Sequence, residues 1–256
     1  MPIKTHLKSL TPRRQQYKRE ITLLSHGYSN PTAWPNGKLT VFPWDNSIDQ
    51  YLVENVRKQS KQEIVFSILK QCCDLNGGSV DDFVAEEINI VLLVSRALST
   101  DGVVSYTARC PFCSAEKKET IKVPDELEKV GEKAEDYPGF DVITLPMSTD
   151  VVKLSPLLVK DEKAILNRPD DKRKEVPDAE LRTLMRVNSI NDSKPDTLEE
   201  LVIWYRALHT KDARMLEDKG RELTPHLNTV VPHVCDDADC GKKFSFPLNF
   251  DQEFFR

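Results

Sequence analysis

Four of the six cysteines fall into two close pairs. Cys110-Pro111-Phe112-Cys113 is a C-x-x-C, and Cys235-Asp236-Asp237-Ala238-Asp239-Cys240 is a C-x4-C. Each pair lies between two extended stretches, so each reads as a tight turn at the tip of a hairpin. A turn of this size aims two sulfurs at one ion. Two such turns facing each other complete a tetrahedron of thiolates, the closed arrangement of a structural zinc site. Pro111 and Gly241 suit the sharp turns required. A lone C-x-x-C would also suit a thioredoxin-like redox pair, but that motif joins a strand to a helix, and here it joins strand to strand. All four positions are filled by cysteine, which leaves no open coordination position of the kind that catalytic zinc needs. His233, two residues before Cys235, is an alternative fourth ligand or simply a strand histidine beside the site. Cys72 and Cys73 are adjacent in a helical stretch, where neighbouring side chains diverge by about 100°. They read as buried small hydrophobes rather than a chelating pair.

The elements that must position these cysteines can be read around them. Lys38 to Phe42, Val103 to Ala108, Glu119 to Val123, Phe140 to Leu145, Val151 to Leu154 and Thr229 to Val234 have strand character. Residues 47 to 73 have helical periodicity with a polar middle at Arg57 to Glu63, which suggests two helices. Asp81 and Asp82 stand near the start of the next helix, where carboxylates favour the positive end of the dipole. From Leu157 to about Leu223 the pattern is helical. It holds Lys160 to Asn167, then a charged, proline-bounded linker from Arg168 to Pro177, then a helix over Ala179 to Ile190. A last helix is announced by Thr197 and Glu200 as a capping box and carries apolar positions from Leu198 through Met215. The expected fold class is α+β, with a zinc-ribbon-like β element built from two distant cysteine knuckles, N-terminal helices and a helical insertion. The expected organisation is a flexible basic arm over 1–20, an α+β domain with the first knuckle over 21–156, the helical insertion over 157–228, and the second knuckle with the C-terminal tail over 229–256. An insertion of more than a hundred residues between the knuckles is tolerable because loop-closure entropy grows slowly with length.

The 256-residue chain is 39% hydrophobic and 30% charged, with a formal net charge of -5. That is a globular composition with enough apolar mass for a core. An acidic balance argues against a sequence-independent nucleic-acid binder. No apolar run approaches the length of a membrane span, and the polar, basic start lacks the apolar stretch of a secretory signal, so synthesis in the cytosol is expected, where disulfides rarely persist. Nucleotide-binding glycine motifs, nucleophile elbows and metalloprotease motifs are absent from the sequence. Adjacent acids such as Asp81-Asp82, Glu86-Glu87 and Asp170-Asp171 read as solvated charge.

The order of several segments is similar to the baseplate protein family of T-even-type contractile-tailed bacteriophages, which includes a baseplate hub assembly protein. Ser25-His26-Gly27 follows a leucine pair and precedes the strand KLTVF. Ile68 to Cys73, then Val80-Asp81-Asp82-Phe83, then Leu92 to Arg96 lead into YTARCPFC. LSPLLVKDEKAIL, WYRAL, the second cysteine pair and a terminal EFFR resemble the longer members. The departure is Leu23-Leu24-Ser25, where the family pattern has leucine, proline, serine. The resemblance spans roughly residues 20–256. It implies a non-enzymatic protein that binds other tail or baseplate proteins in the host cytoplasm during assembly, and it leaves open whether the protein stays in the virion baseplate. Phe254, Phe255 and Arg256 are residue types that anchor such contacts. The alternative function is a zinc-ribbon nucleic-acid binder, with Lys117-Lys118 and Lys242-Lys243 forming one basic patch. A metalloenzyme would need a zinc-bound water beside an acid or His233.

Overall fold

Two short strands, β1 (Arg19–Thr22) and β2 (Lys38–Val41), pair antiparallel with Ile21 opposite Leu39. The loop between them turns inward and buries Leu23, Leu24, Ala33 and Trp34. In this computed structural model, which describes residues 17–100, 102–123 and 125–248, Trp34 stacks on Phe83 with ring centroids 4.4 Å apart. Gly27 and Gly37 let the two arms of the loop touch. A Cβ on Gly27 would lie 2.6 Å from the Trp34 carbonyl oxygen, and one on Gly37 2.7 Å from the His26 Cα, and both residues adopt positive φ. Because β1 begins at Arg19, the chain is already paired inside the segment expected to be an arm, and Arg19 also reaches Asp125 at 3.1 Å. Residues 1–16 of that segment lie outside the described residues.

Helices α1 (Asn46–Asn55) and α2 (Lys61–Cys72) are separate, as the polar middle suggested. The second starts where Ser60 and Glu63 form a capping box, each side chain accepting from the other's amide. Asp81 and Asp82 do not open a long helix. They sit in a single 3-10 turn capped by Ser79, and α3 (Glu87–Ala97) starts only at Glu87. Helix α3 is apolar on nearly every side, with Ile88, Ile90, Val91, Leu92, Leu93 and Val94 all buried, and it forms the axis of the main core. Cys72 and Cys73 pack in that core, as expected of small hydrophobes.

Strands β3 (Val103–Arg109) and β4 (Glu116–Lys122) form the first cysteine hairpin. The chain then passes through β5 (Lys129–Val130) into a second unit. There β6 (Asp141–Thr144), β7 (Val151–Leu154) and a later strand, β8, make a three-stranded antiparallel sheet in that order. Between β7 and β8 lie α4 (Val159–Leu166), α5 (Asp170–Glu175) and α6 (Asp178–Met185). Strand β8 (Val187–Ile190) corrects the helix expected over Ala179 to Ile190. Val187 and Ser189 are buried while Asn188 is exposed, a period of two, and Asn191 and Asp192 then turn the chain at positive φ. The inserted segment is therefore mixed helix and sheet rather than helical. The expected charged linker holds the short helix α5, and Arg168 is tied to the Val176 carbonyl and to Asp178.

The last long helix is also two, α7 (Leu198–Ala207) and α8 (Thr210–Leu223). They part at Leu208, where the His209 ring nitrogen accepts from the Lys211 amide as an N-cap. Thr197 caps α7 through the Glu200 amide, but the Glu200 carboxylate accepts from Asp196 rather than from Thr197, so the box is only half formed. Leu145, Val152, Leu154, Val187, Leu216 and Leu223 make this unit's own core. The buried Asp212 accepts from the amides of Met147 and Ser148, both at 2.9 Å, which pins the β6–β7 turn to α8. The chain leaves through β9 (His226–Leu227), which pairs with β5, and enters the second cysteine hairpin, β10 (Val230–Val234) and β11 (Lys243–Pro247). No helix among the described residues is long and apolar enough to cross a membrane.

One buried acid ties the main core to the inward loop. Glu87 is fully buried and accepts from the Ser25 amide at 2.7 Å and the Ser25 hydroxyl at 2.9 Å. Burial pushes its carboxyl up to about 7, against these hydrogen bonds, which favour the anion. A carboxyl raised above its unfolded value of about 4.3 contributes stability that is complete below that pH and lost as pH rises through the folded value. Glu87→Gln keeps the shape without the titration. Between about pH 5 and pH 8, thermal unfolding of the two proteins in parallel should show the variant gaining on the native chain by up to roughly 3 kcal/mol. A stability difference that stays constant over this range would refute the assignment.

Candidate metal centre

The hairpins that carry the cysteines are rooted in the main core and meet through their inner faces. Alternation puts Val104, Tyr106 and Ala108 on one side of β3, and Glu119 and Ile121 on the same side of β4. In the second hairpin, Val231, His233, Phe244 and Phe246 turn inward. Tyr106 stacks on Phe246 at 5.8 Å between centroids and meets the His233 ring edge-on at 5.7 Å. His233 in turn stacks on Phe244 at 5.5 Å. Ile121, Val123 and Leu248 continue the contact into the core.

At the tips, each turn is closed by its own backbone. The Cys110 amide donates to the Ala115 carbonyl and the Ser114 amide to the Cys110 carbonyl, both at 2.9 Å, with Ser114 at positive φ. In the second turn the Cys235 amide donates to Lys242, and the amides of Cys240 and Gly241 both donate to the Asp237 carbonyl. Gly241 has φ +53° and nothing within 4 Å of where a Cβ would stand, so it serves the turn's backbone rather than a tight contact.

These turns bring together the four cysteines singled out in the sequence. The sulfurs of Cys110, Cys113, Cys235 and Cys240 all lie within 4.8 Å of one another. Cys113 Sγ stands 3.5 Å from Cys235 Sγ, and Cys110 Sγ 3.8 Å from Cys240 Sγ, with no disulfide among them. With metal–sulfur bonds of about 2.3 Å, a tetrahedral tetrathiolate site has sulfur–sulfur edges of about 3.8 Å. The cluster therefore fits one metal ion. Cys110 and Cys235 are buried, Cys240 is half-buried and Cys113 is exposed.

The thiols also fit a cation electrostatically. Burial pushes the Cys110 thiol up, but the amides of Phe112 and Cys113 and the neighbouring sulfurs outweigh it and bring the group to about 7. The Asp237 amide favours the Cys235 thiolate, yet burial and the other three sulfurs push that group up to about 12. Cys110 ionises easily, and Cys113 and Cys235 then resist, as expected for like charges in contact. A divalent ion at the centre removes the conflict.

Around the sulfurs, charged groups link one hairpin to the other. Lys117 of β4 reaches Glu119 at 2.7 Å and Asp236 of the second turn at 2.8 Å, which raises the lysine and lowers Glu119. Lys242 sits over the Phe112 ring at 4.7 Å. His233 faces Tyr106 Oη through Nε2 at 3.2 Å and Glu119 through Nδ1 at 3.4 Å. Both ring nitrogens are thus engaged away from the sulfurs, and His233 is not among the clustered ligands. Sequence reading missed Glu119 and Tyr106, whose position opposite each other in the hairpin register brings them both to the buried histidine. Phe254, Phe255 and Arg256 lie outside the described residues. No protein-family model, curated protein or solved structure matches the chain.

Replacing His233 separates packing from ligation. His233→Ala opens a void beside Tyr106, Phe244 and Phe246 and should cost about 2 kcal/mol of stability. Metal content, measured on the purified variant, should equal that of the native chain. Loss of the metal would make His233 a ligand.

Proposed function

We propose that the protein is a structural or assembly component of a contractile phage tail baseplate or its central hub. On this reading it binds one structural zinc ion through Cys110, Cys113, Cys235 and Cys240 and acts through protein–protein contacts. The observation that carries the metal reading is the convergence of four sulfurs within 4.8 Å from two segments far apart in the chain. Thiolates in a tetrahedral set suit zinc or iron, and a zinc-ribbon-like pair of hairpins with four cysteines suits zinc held for structure. With every position taken by sulfur, the ion's contribution is to fix the two hairpins together rather than to activate water. The baseplate reading rests on the ordered resemblance of the segments from Ser25-His26-Gly27 to the second cysteine pair.

Elemental analysis of the purified chain should give one zinc per molecule, and both Cys110→Ser and Cys235→Ser should lose it, because three thiolates cannot close the tetrahedron. A red, iron-bearing protein would replace zinc by iron and leave the site intact. A metal-free protein would refute the site. The assembly role is tested separately, by disrupting the gene in the genome that encodes it and viewing the particles by electron microscopy. Filled heads without assembled baseplates are expected, and complete tails would refute the role.

A further inference from the structure

The four sulfurs are arranged for a second chemistry besides ligation. Cys113 faces Cys235 at 3.5 Å and Cys110 faces Cys240 at 3.8 Å. Each facing pair joins one hairpin to the other, across 122 and 130 residues of sequence. Cys113 is the exposed residue of the four, while its neighbour Cys235 is buried. An accessible thiolate beside a second thiol is the arrangement in which sulfenic acid formation is resolved to a disulfide.

We propose that this cluster is also an oxidative modification site, at which a hydroperoxide converts the ligands into two disulfides that cross between the hairpins, Cys113–Cys235 and Cys110–Cys240. The inference rests on the metal reading for its starting state. In the first step the Cys113 sulfur attacks the peroxide O–O bond and takes one oxygen as sulfenic acid, and the other oxygen leaves as hydroxide. The Cys235 thiolate then attacks the Cys113 sulfur, forms the S–S bond and expels a second hydroxide. Two thiolates give up two electrons, one peroxide is reduced, and two protons from solvent complete two waters. Losing two ligands frees the metal ion, and a second equivalent of peroxide joins Cys110 to Cys240 in the same way. Closing the bonds from 3.5 and 3.8 Å to about 2.05 Å brings the sulfurs together by about 1.5 Å for Cys113–Cys235 and about 1.8 Å for Cys110–Cys240. The link between the hairpins then survives the departure of the metal.

The test uses the full-length, metal-loaded chain and hydrogen peroxide. A chelating dye follows metal release, and the protein is then alkylated, digested without reductant and mapped by mass spectrometry. The expected result is release of one metal ion, a chain four hydrogens lighter than the reduced, metal-free chain, and linked peptides joining Cys113 to Cys235 and Cys110 to Cys240. Cys113→Ser, oxidised as the metal-free chain, should yield only the Cys110–Cys240 link. Disulfides within a turn, Cys110–Cys113 or Cys235–Cys240, would overturn the proposal, as would intact thiols with bound metal or oxidation to sulfinic acid without S–S bonds. A chain that carries no metal as purified would refute the metal reading alone, and the mapped pairing after oxidation of that chain would still decide this one.

Discussion

Everything at the cysteine cluster depends on the face-to-face packing of two hairpins that come from distant parts of the chain. The sulfurs project from turns only a few residues long, and such turns cannot find one another unless the strands below them are fixed. Tyr106, Phe246 and His233 supply that fixation, with rings packed across the interface and the polar edge of His233 satisfied by Tyr106 and Glu119. Aromatic pairs of this kind contribute about 0.5–1.5 kcal/mol beyond the area they bury. A metal bound by the four sulfurs would add to this fixation, because the site exists only once the hairpins have met.

The long insertion weakens this arrangement less than its length suggests. Outgoing β5 and returning β9 are paired, Lys129 opposite Leu227 and Val130 opposite His226, and the Asn228 amide donates to the Glu128 carbonyl. The insertion is thus closed at its neck before the cysteines meet. The loop left between the cysteine turns is set by the short segments between this neck and the turns, since the inserted unit holds itself together around Leu145, Val152, Leu154, Leu216 and Leu223. Beneath both hairpins, the apolar helix α3 and the loop pinned by Glu87 make a core that also receives Ile121, Val123, Leu227 and Leu248. The second hairpin is therefore anchored at its base as well as at its tip.

The cysteine turns were legible in the sequence because turn chemistry is local. Two cysteines at short spacing between strand-like runs, with Pro111 and Gly241 beside them, carry the signal within a few residues. The α+β class and the strands of both hairpins followed from the same alternation. What failed depended on distant partners. Val187 to Ile190 reads as the end of a helix until β7 is there to pair with it. The break at Leu208 leaves no glycine or proline mark, and the cap is a histidine, outside the residues usually favoured for that role. No local signal marks Glu119 in its strand, and only the fold sets it against a buried histidine from the far end of the chain.

The same contacts bear on the rival reading as a nucleic-acid binder. A basic patch attracts phosphate when its cations are free to exchange counterions for the backbone. Lys117 is held between Glu119 and Asp236, and Lys242 lies over Phe112. Two of the four lysines in the supposed patch thus spend their charge joining one knuckle to the other. The second turn also exposes Asp236, Asp237 and Asp239. A phosphate arriving there would have to displace a carboxylate from Lys117 and face the remaining acids, so the charges around the knuckles favour cohesion of the hairpins over recruitment of a polyanion.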